Sequence, residues 1–175
     1  ERFIKMSQTT LDIKEPGLNV LPPGVERHVV NAGGLTGLQI FPDDEIEIIN
    51  EEGNQICEII CFDKDGKSEL GILSQKENCK KSFIKELLKG KDESSLITNL
   101  QLKKRNLDIN KSKSSILFDE QTPSGEKIKI KSKDKCYVIF AAPQNNMLVS
   151  EQNPSSDLTS VSYTHLRAHE TCVHL

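Results

Sequence analysis

From residue 25 to residue 141, short apolar runs alternate with clusters of Gly, Pro, Asp and Asn, and within most runs polar and apolar positions follow a period of two. Residues 25–31 (VERHVVN) predict a first strand, framed by Pro22-Pro23-Gly24 and Gly33-Gly34. Residues 37–41 predict a second. After the Pro42-Asp43-Asp44 turn, Ile46, Ile48 and Ile49 are punctuated by Glu45, Glu47 and Asn50, a third strand with one wet and one buried face. Residues 55–62 (QICEIICF) are apolar almost throughout, as expected of a central strand, and residues 45–62 read as a hairpin turned at Glu51-Glu52-Gly53-Asn54. In residues 79–89, Phe83, Leu87 and Leu88 share a side opposite lysines, and Gly90 follows, which predicts a short amphipathic α-helix near 80–89. Residues 95–103, through Leu96, Asn99 and Leu100, fit either a strand or a helix. Residues 106–125 are turn-rich. Residues 126–133 alternate regularly, with Lys127, Lys129, Lys131 and Lys133 on one face and Ile128 and Ile130 on the other, and residues 136–141 predict another buried strand. Seven or eight short strands with one helix predict a mainly β fold, a β-barrel or sandwich of short antiparallel strands.

Composition narrows the class. With 175 residues, 35% hydrophobic and 28% charged, the chain is long enough to bury one core, and it contains no apolar run of membrane-spanning length and no signal-peptide core at its start. Five irregularly spaced cysteines read as reduced thiols, which predicts a cytoplasmic protein. Absence of Trp and 5% aromatic residues argue against a carbohydrate platform. Charge is uneven: residues 1–102 carry 12 basic and 18 acidic side chains, net −6, and residues 103–135 carry 10 and 5, net +5. The lysine stripe either steers an anionic partner or protects an exposed edge strand from pairing. It lacks the Arg and aromatic residues that read nucleic acid.

Three of the four histidines, His165, His169 and His174, fall in the last 11 residues, where with Cys172 they offer nitrogen and sulfur donors at zinc-like spacing. Yet Ile occurs 17 times and never after Ile139, and residues 161–175 contain no Lys and no Asn. The string from Ser162 to Thr171 resembles a peptide found at broken ends of unrelated protein translations, where a sequencing adapter has been translated in frame. Residues 161–175 therefore read as an artefactual tail that contributes no metal site. Residues 1–5, ahead of Met6, read as upstream translation, 6–150 as a β-rich domain and 151–160 as a linker.

The other motifs favour structural roles. Gly33-Gly34-Leu35-Thr36-Gly37 lacks the Gly-Lys-Ser/Thr ending of a phosphate loop and reads as a turn. Cys57 and Cys61 share a strand face without further ligands and read as packing, as do the isolated Cys79 and Cys136. Asp63-Lys64-Asp65-Gly66 reads as a turn and not a calcium loop. His28 is a candidate general base or ligand without a nucleophile or carboxylate partner identifiable in sequence.

The stretch 22–62 resembles the start of the urea carboxylase-associated domains through Pro23-Gly24, the aliphatic run at Ile46 to Asn50, Gly53-Asn54-Gln55 and Glu58, where that family usually has Asp. With His28, Gln55 and Glu58 are the candidate ligand-binding residues; Gly53 suits a positive φ in the turn, and the Gln55 side chain can bond its backbone. Segments 9–42, 43–57, 103–117, 122–142 and 151–158 resemble the N-terminal region of large proteins that place such β domains ahead of an aminomethyltransferase similar to the T-protein of the glycine cleavage system. That resemblance implies a truncated N-terminal accessory domain of a folate-dependent one-carbon transferase, itself without catalytic residues. The transferase domain would be its partner in the same chain and would hold the tetrahydrofolate. The alternative is a free-standing, urea carboxylase-associated type of small-molecule binding or hydrolytic β-barrel. No metal, nucleic-acid or membrane partner is expected.

Overall fold

The computed structural model describes residues 23–144 and 155–164, and these form eight strands: β1 (Val25–Val30), β2 (Leu35–Ile40), β3 (Glu45–Asn50), β4 (Cys57–Asp63), β5 (Ser114–Phe118), β6 (Glu126–Lys131), β7 (Cys136–Ala141) and β8 (Leu158–Tyr163). They pair antiparallel in two four-stranded sheets, ordered β1-β8-β3-β6 and β2-β7-β4-β5. The chain changes sheet at nearly every connection, and this strand order is that of a double-sheet jelly roll, so the mainly β expectation holds in its sandwich form.

Between the sheets lie Val30, Ile46, Ile48, Ile130 and Leu158 from the first and Ile40, Cys57, Ile59, Cys61, Val138 and Phe140 from the second. The second sheet is also covered outside, where Ile60, Phe62, Tyr137, Ile139 and Ala141 pack against Ile84, Leu88 and Leu102. This double cover explains why β4 and β7 read as continuous apolar runs while β3 and β6 alternate. It also corrects the hairpin expected over residues 45–62. β3 pairs with β6 and β8, and β4 pairs with β5 and β7. A strand apolar on both faces needs the sheet that carries the helices, whereas β3, with Glu45 and Glu47 on its other face, belongs to the sheet that faces water.

Helix α1 (Phe83–Leu87) lies inside the expected helical interval, and the longer α2 (Glu93–Lys104) occupies the stretch that fitted strand or helix. Ser82 and Asp92 are their N-caps, accepting from the backbone N–H of Lys85 and Ser95. Strand β5 forms within the stretch read as turn-rich. Residues 158–160, read as linker, begin β8, which continues into 161–163 and runs between β1 and β3. Residues 1–22 and 165–175, which include the expected upstream translation and the tail histidines, lie outside the described residues.

Strand β6 is an edge, as one reading of the lysine stripe required. Lys127, Lys129 and Lys131 stand 3.6 to 3.9 Å from Glu45, Glu47 and Asp43 carboxylates on and before β3. The acidic front of the chain and the basic stripe thus face each other across one strand pair, as weak ion pairs in which the lysines are exposed and Glu47 is buried. No helix among the described residues is long and apolar enough to cross a membrane.

Candidate functional site

The three candidates from sequence are placed apart, and two of them are fully occupied in holding the fold. Glu58 has no solvent exposure and points from β4 to the start of α1. Its carboxylate accepts from Ser82 Oγ at 2.5 Å and from the backbone N–H of Phe83 at 2.7 Å and Ile84 at 3.1 Å. The free donors of a helix start are thereby satisfied by a buried anion. Gln55, 1% exposed, joins three stretches of backbone. Its Nε2 donates to the carbonyls of Ile56 and Pro143, at 2.9 and 2.8 Å, and its Oε1 accepts from Ser156 N–H at 2.8 Å. The side chain bonds not to the turn backbone, as expected, but to Ile56 just beyond it and to residues about 90 and 100 positions away. Gly53 has φ +79, as the turn requires.

His28 sits on the other sheet, on the side of β1 that carries Val30 into the core. Its Nε2 lies 3.3 Å from Glu26 Oε2, so a carboxylate partner does exist two residues away. Ser160 is opposite His28 in β8, but its buried Oγ has no hydrogen-bond partner in the structure, so Ser, His and Glu do not form a connected relay.

The cysteines are similarly quiet. Burial holds the Cys57 thiol above its ordinary range, with Glu58 adding to the effect. Cys136, read from sequence as isolated, meets Cys61 through a thiol hydrogen bond that, with burial, keeps Cys61 protonated. Cys57 and Cys61 are therefore not nucleophiles at neutral pH, whereas the same hydrogen bond from Cys61, with one from Ser132 and against burial, lowers the Cys136 thiol pKa. Among the described residues no group of three or more His, Cys, Asp or Glu is arranged to hold a metal ion.

A concavity of about 900 Å³ lies between β2, the β1–β2 turn and α2, over the Gly33–Gly37 stretch that the sequence presented as a turn. Gly33, at φ +73, donates to Ala142 O at 2.7 Å while Ala142 N–H donates to Gly34 O at 3.0 Å, a bulge that starts β2. All of residues 35–39 then line the groove. Gly37 is bare because the Tyr137 ring from β7 lies across it; a Cβ there would overlap the Tyr137 hydroxyl. That hydroxyl is buried without a partner. The Arg105 guanidinium lies 4.5 Å over the Tyr137 ring and donates to Gln101 Oε1 at 2.6 Å and Gln39 Oε1 at 3.4 Å. Burial raises the Tyr137 pKa, with Arg105 opposing, so the phenol stays neutral. Arg105, Tyr137, Gln39 and Gln101 can bind polar groups, but they supply neither a base poised near neutrality nor an activated nucleophile. Gly37 began the strand expected over 37–41, but the structure places it in mid-strand, where a glycine often marks close approach of another group.

No family model matches the chain. It is 33% identical over 147 residues to the trimethylamine-oxide aldolase of Ruegeria pomeroyi, a match covering 84% of this chain. The same match covers 19% of that protein, so the chain spans about a fifth of the length of its curated relative and is similar to one region of an enzyme.

Proposed function

We propose that this chain is an accessory β domain of a larger enzyme of one-carbon chemistry and does not itself catalyse the reaction. The observation that carries this reading is the coverage: most of this chain matches a minor part of a trimethylamine-oxide aldolase. The occupied state of Glu58 and Gln55 supports it, since both side chains spend their hydrogen bonds on backbone and N-cap groups.

The chemistry of the relative and of the expected transferase is compatible. Cleavage of trimethylamine oxide with atoms conserved gives dimethylamine and formaldehyde, and an aminomethyltransferase passes on a one-carbon unit at that same oxidation level. Tetrahydrofolate would accept such a unit. The groove beside β2 does not fit it, because the one aromatic ring there, Tyr137, is covered by Arg105 and presents no face on which a pterin could stack. In this reading the folate and the reacting groups belong to a transferase region, and the β sandwich contributes assembly.

A chimera tests the proposal. Replacing the matched region of the Ruegeria pomeroyi enzyme with this chain is expected to preserve aldehyde release from trimethylamine oxide, whereas deleting the region is expected to lower it. A folded chimera no more active than the deletion would contradict the accessory reading.

A further inference from the structure

Arg105 closes α2 as its C-cap and is half-buried, with its guanidinium 4.5 Å over the Tyr137 ring. Both of its side-chain hydrogen bonds go to uncharged acceptors, Gln101 Oε1 at 2.6 Å and Gln39 Oε1 at 3.4 Å. Arg27 meets Glu51, and the lysines of β6 meet the acids of β3, whereas no carboxylate among the described residues forms an ion pair with Arg105. The carbonyl end of α2 supplies only part of a counter-charge.

The groups around it are short of acceptors as well. Because Gln39 and Gln101 turn their Oε1 atoms to the guanidinium, their Nε2 amides are left as donors, and neither makes a hydrogen bond among the described residues. Tyr137 is 6% exposed, and its hydroxyl, lying against Gly37, is buried without a partner. A buried O–H that bonds nothing costs free energy, so an acceptor brought to it is favoured. A guanidinium, two amides and a phenol thus converge with spare donors. These four residues line both the 900 Å³ groove and an adjoining hollow of about 510 Å³, and so stand where the two meet.

We infer that this junction binds a small molecule through a single carboxylate group, which engages the Arg105 guanidinium with its oxygens and accepts from the Tyr137 hydroxyl. The fork of guanidinium N–H groups matches a carboxylate in its plane, and the neutral phenol adds a further donor. The charges nearby disfavour a dianion. Glu26, Asp92 and Glu93 line the larger groove, and Asp63 and Asp65 in the smaller hollow are offset by Lys104 and Lys135. Ser94 and Ser95 hold the Asp92 carboxyl below its ordinary value, so it stays ionised. A second negative charge on the ligand therefore meets repulsion in the larger groove, while an uncharged or cationic remainder does not. This inference is independent of the accessory reading: it assigns binding and no reaction, and its failure would leave the chimera result untouched.

Tyrosine emission of the full chain tests it. The sequence has no Trp and two Tyr, so Tyr163→Phe leaves Tyr137 as the sole emitter. In that background butyrate, exchanged for chloride at constant ionic strength, is expected to change the emission and to saturate. Arg105→Gln should weaken butyrate binding at least about tenfold. Gln101→Glu, which supplies Arg105 with a carboxylate from within the chain, should compete as strongly, and it keeps the test open if Arg105→Gln does not fold. Inorganic phosphate should bind at least about tenfold more weakly than butyrate. An emission change that never saturates overturns the inference, as does an affinity unmoved by either substitution or phosphate that binds as tightly as butyrate.

Discussion

A carboxylate without solvent contact must find its donors in the protein, and Glu58 takes three from the start of α1. Glu58→Gln would turn an amide N–H₂ toward N–H donors and remove the charge that faces the helix start. The expected cost is about 2 kcal/mol, read as a shift in the urea midpoint with unchanged slope. An unchanged midpoint would mean that the contacts are replaced by water. Sequence pointed to Glu58 and Gln55 as special but toward the wrong kind of role. A buried Glu and a ligand-binding Glu look alike until the partner is known, and the partners of Gln55 at Pro143 and Ser156 arrive from distant parts of the chain. Tyr137 and Arg105 were less legible still. One lay in a strand that read simply as buried, and the other lay just past residues 95–103, whose secondary structure was open.

At the scale of elements, periodicity placed β1, β3, β4, β6 and β7 where they form, because each either alternates between core and water or is apolar on both faces. It missed β5 and β8, whose Ser and Thr residues are buried yet give no apolar signal: Ser114, Ser115, Thr159 and Ser160 all lie in the interior. It left α2 undecided for a related reason, since that helix buries small polar residues and exposes its leucines. The N-cap of α2 makes a pH-dependent contribution. Hydrogen bonds from the Ser94 and Ser95 hydroxyls, outweighing a small effect of burial, hold the Asp92 carboxyl below its ordinary value of 3.8. A depressed folded-state pKa means that this stabilisation is complete above the unfolded value and is lost as pH falls through the folded one. Asp92→Ala is therefore expected to cost about 1 kcal/mol at neutral pH. The difference from the unaltered chain should shrink below about pH 3.8 and be constant above about pH 5. A pH-independent difference, seen by circular dichroism during denaturation, would assign the effect to helix propensity alone.

At the scale of the molecule, pattern reasoning reached the mainly β class but not the strand order. A period of two says that a face is buried and not which sheet buries it, so adjacent strands 45–50 and 57–63 looked like a hairpin while belonging to opposite layers. The sandwich that results puts side chains with chemical capacity to structural use. Glu58 caps a helix, Gln55 ties three backbones, Cys57 and Cys61 are buried and protonated, and the lysines of β6 answer the acids of β3. These features together are what the proposed accessory role requires of a chain that matches 19% of the length of a trimethylamine-oxide aldolase. The most direct measurement is formaldehyde release when the purified chain is incubated with trimethylamine oxide. The account predicts a rate equal to that of the protein-free blank at every protein concentration. Release rising in proportion to the chain would contradict it and favour a free-standing catalytic β domain.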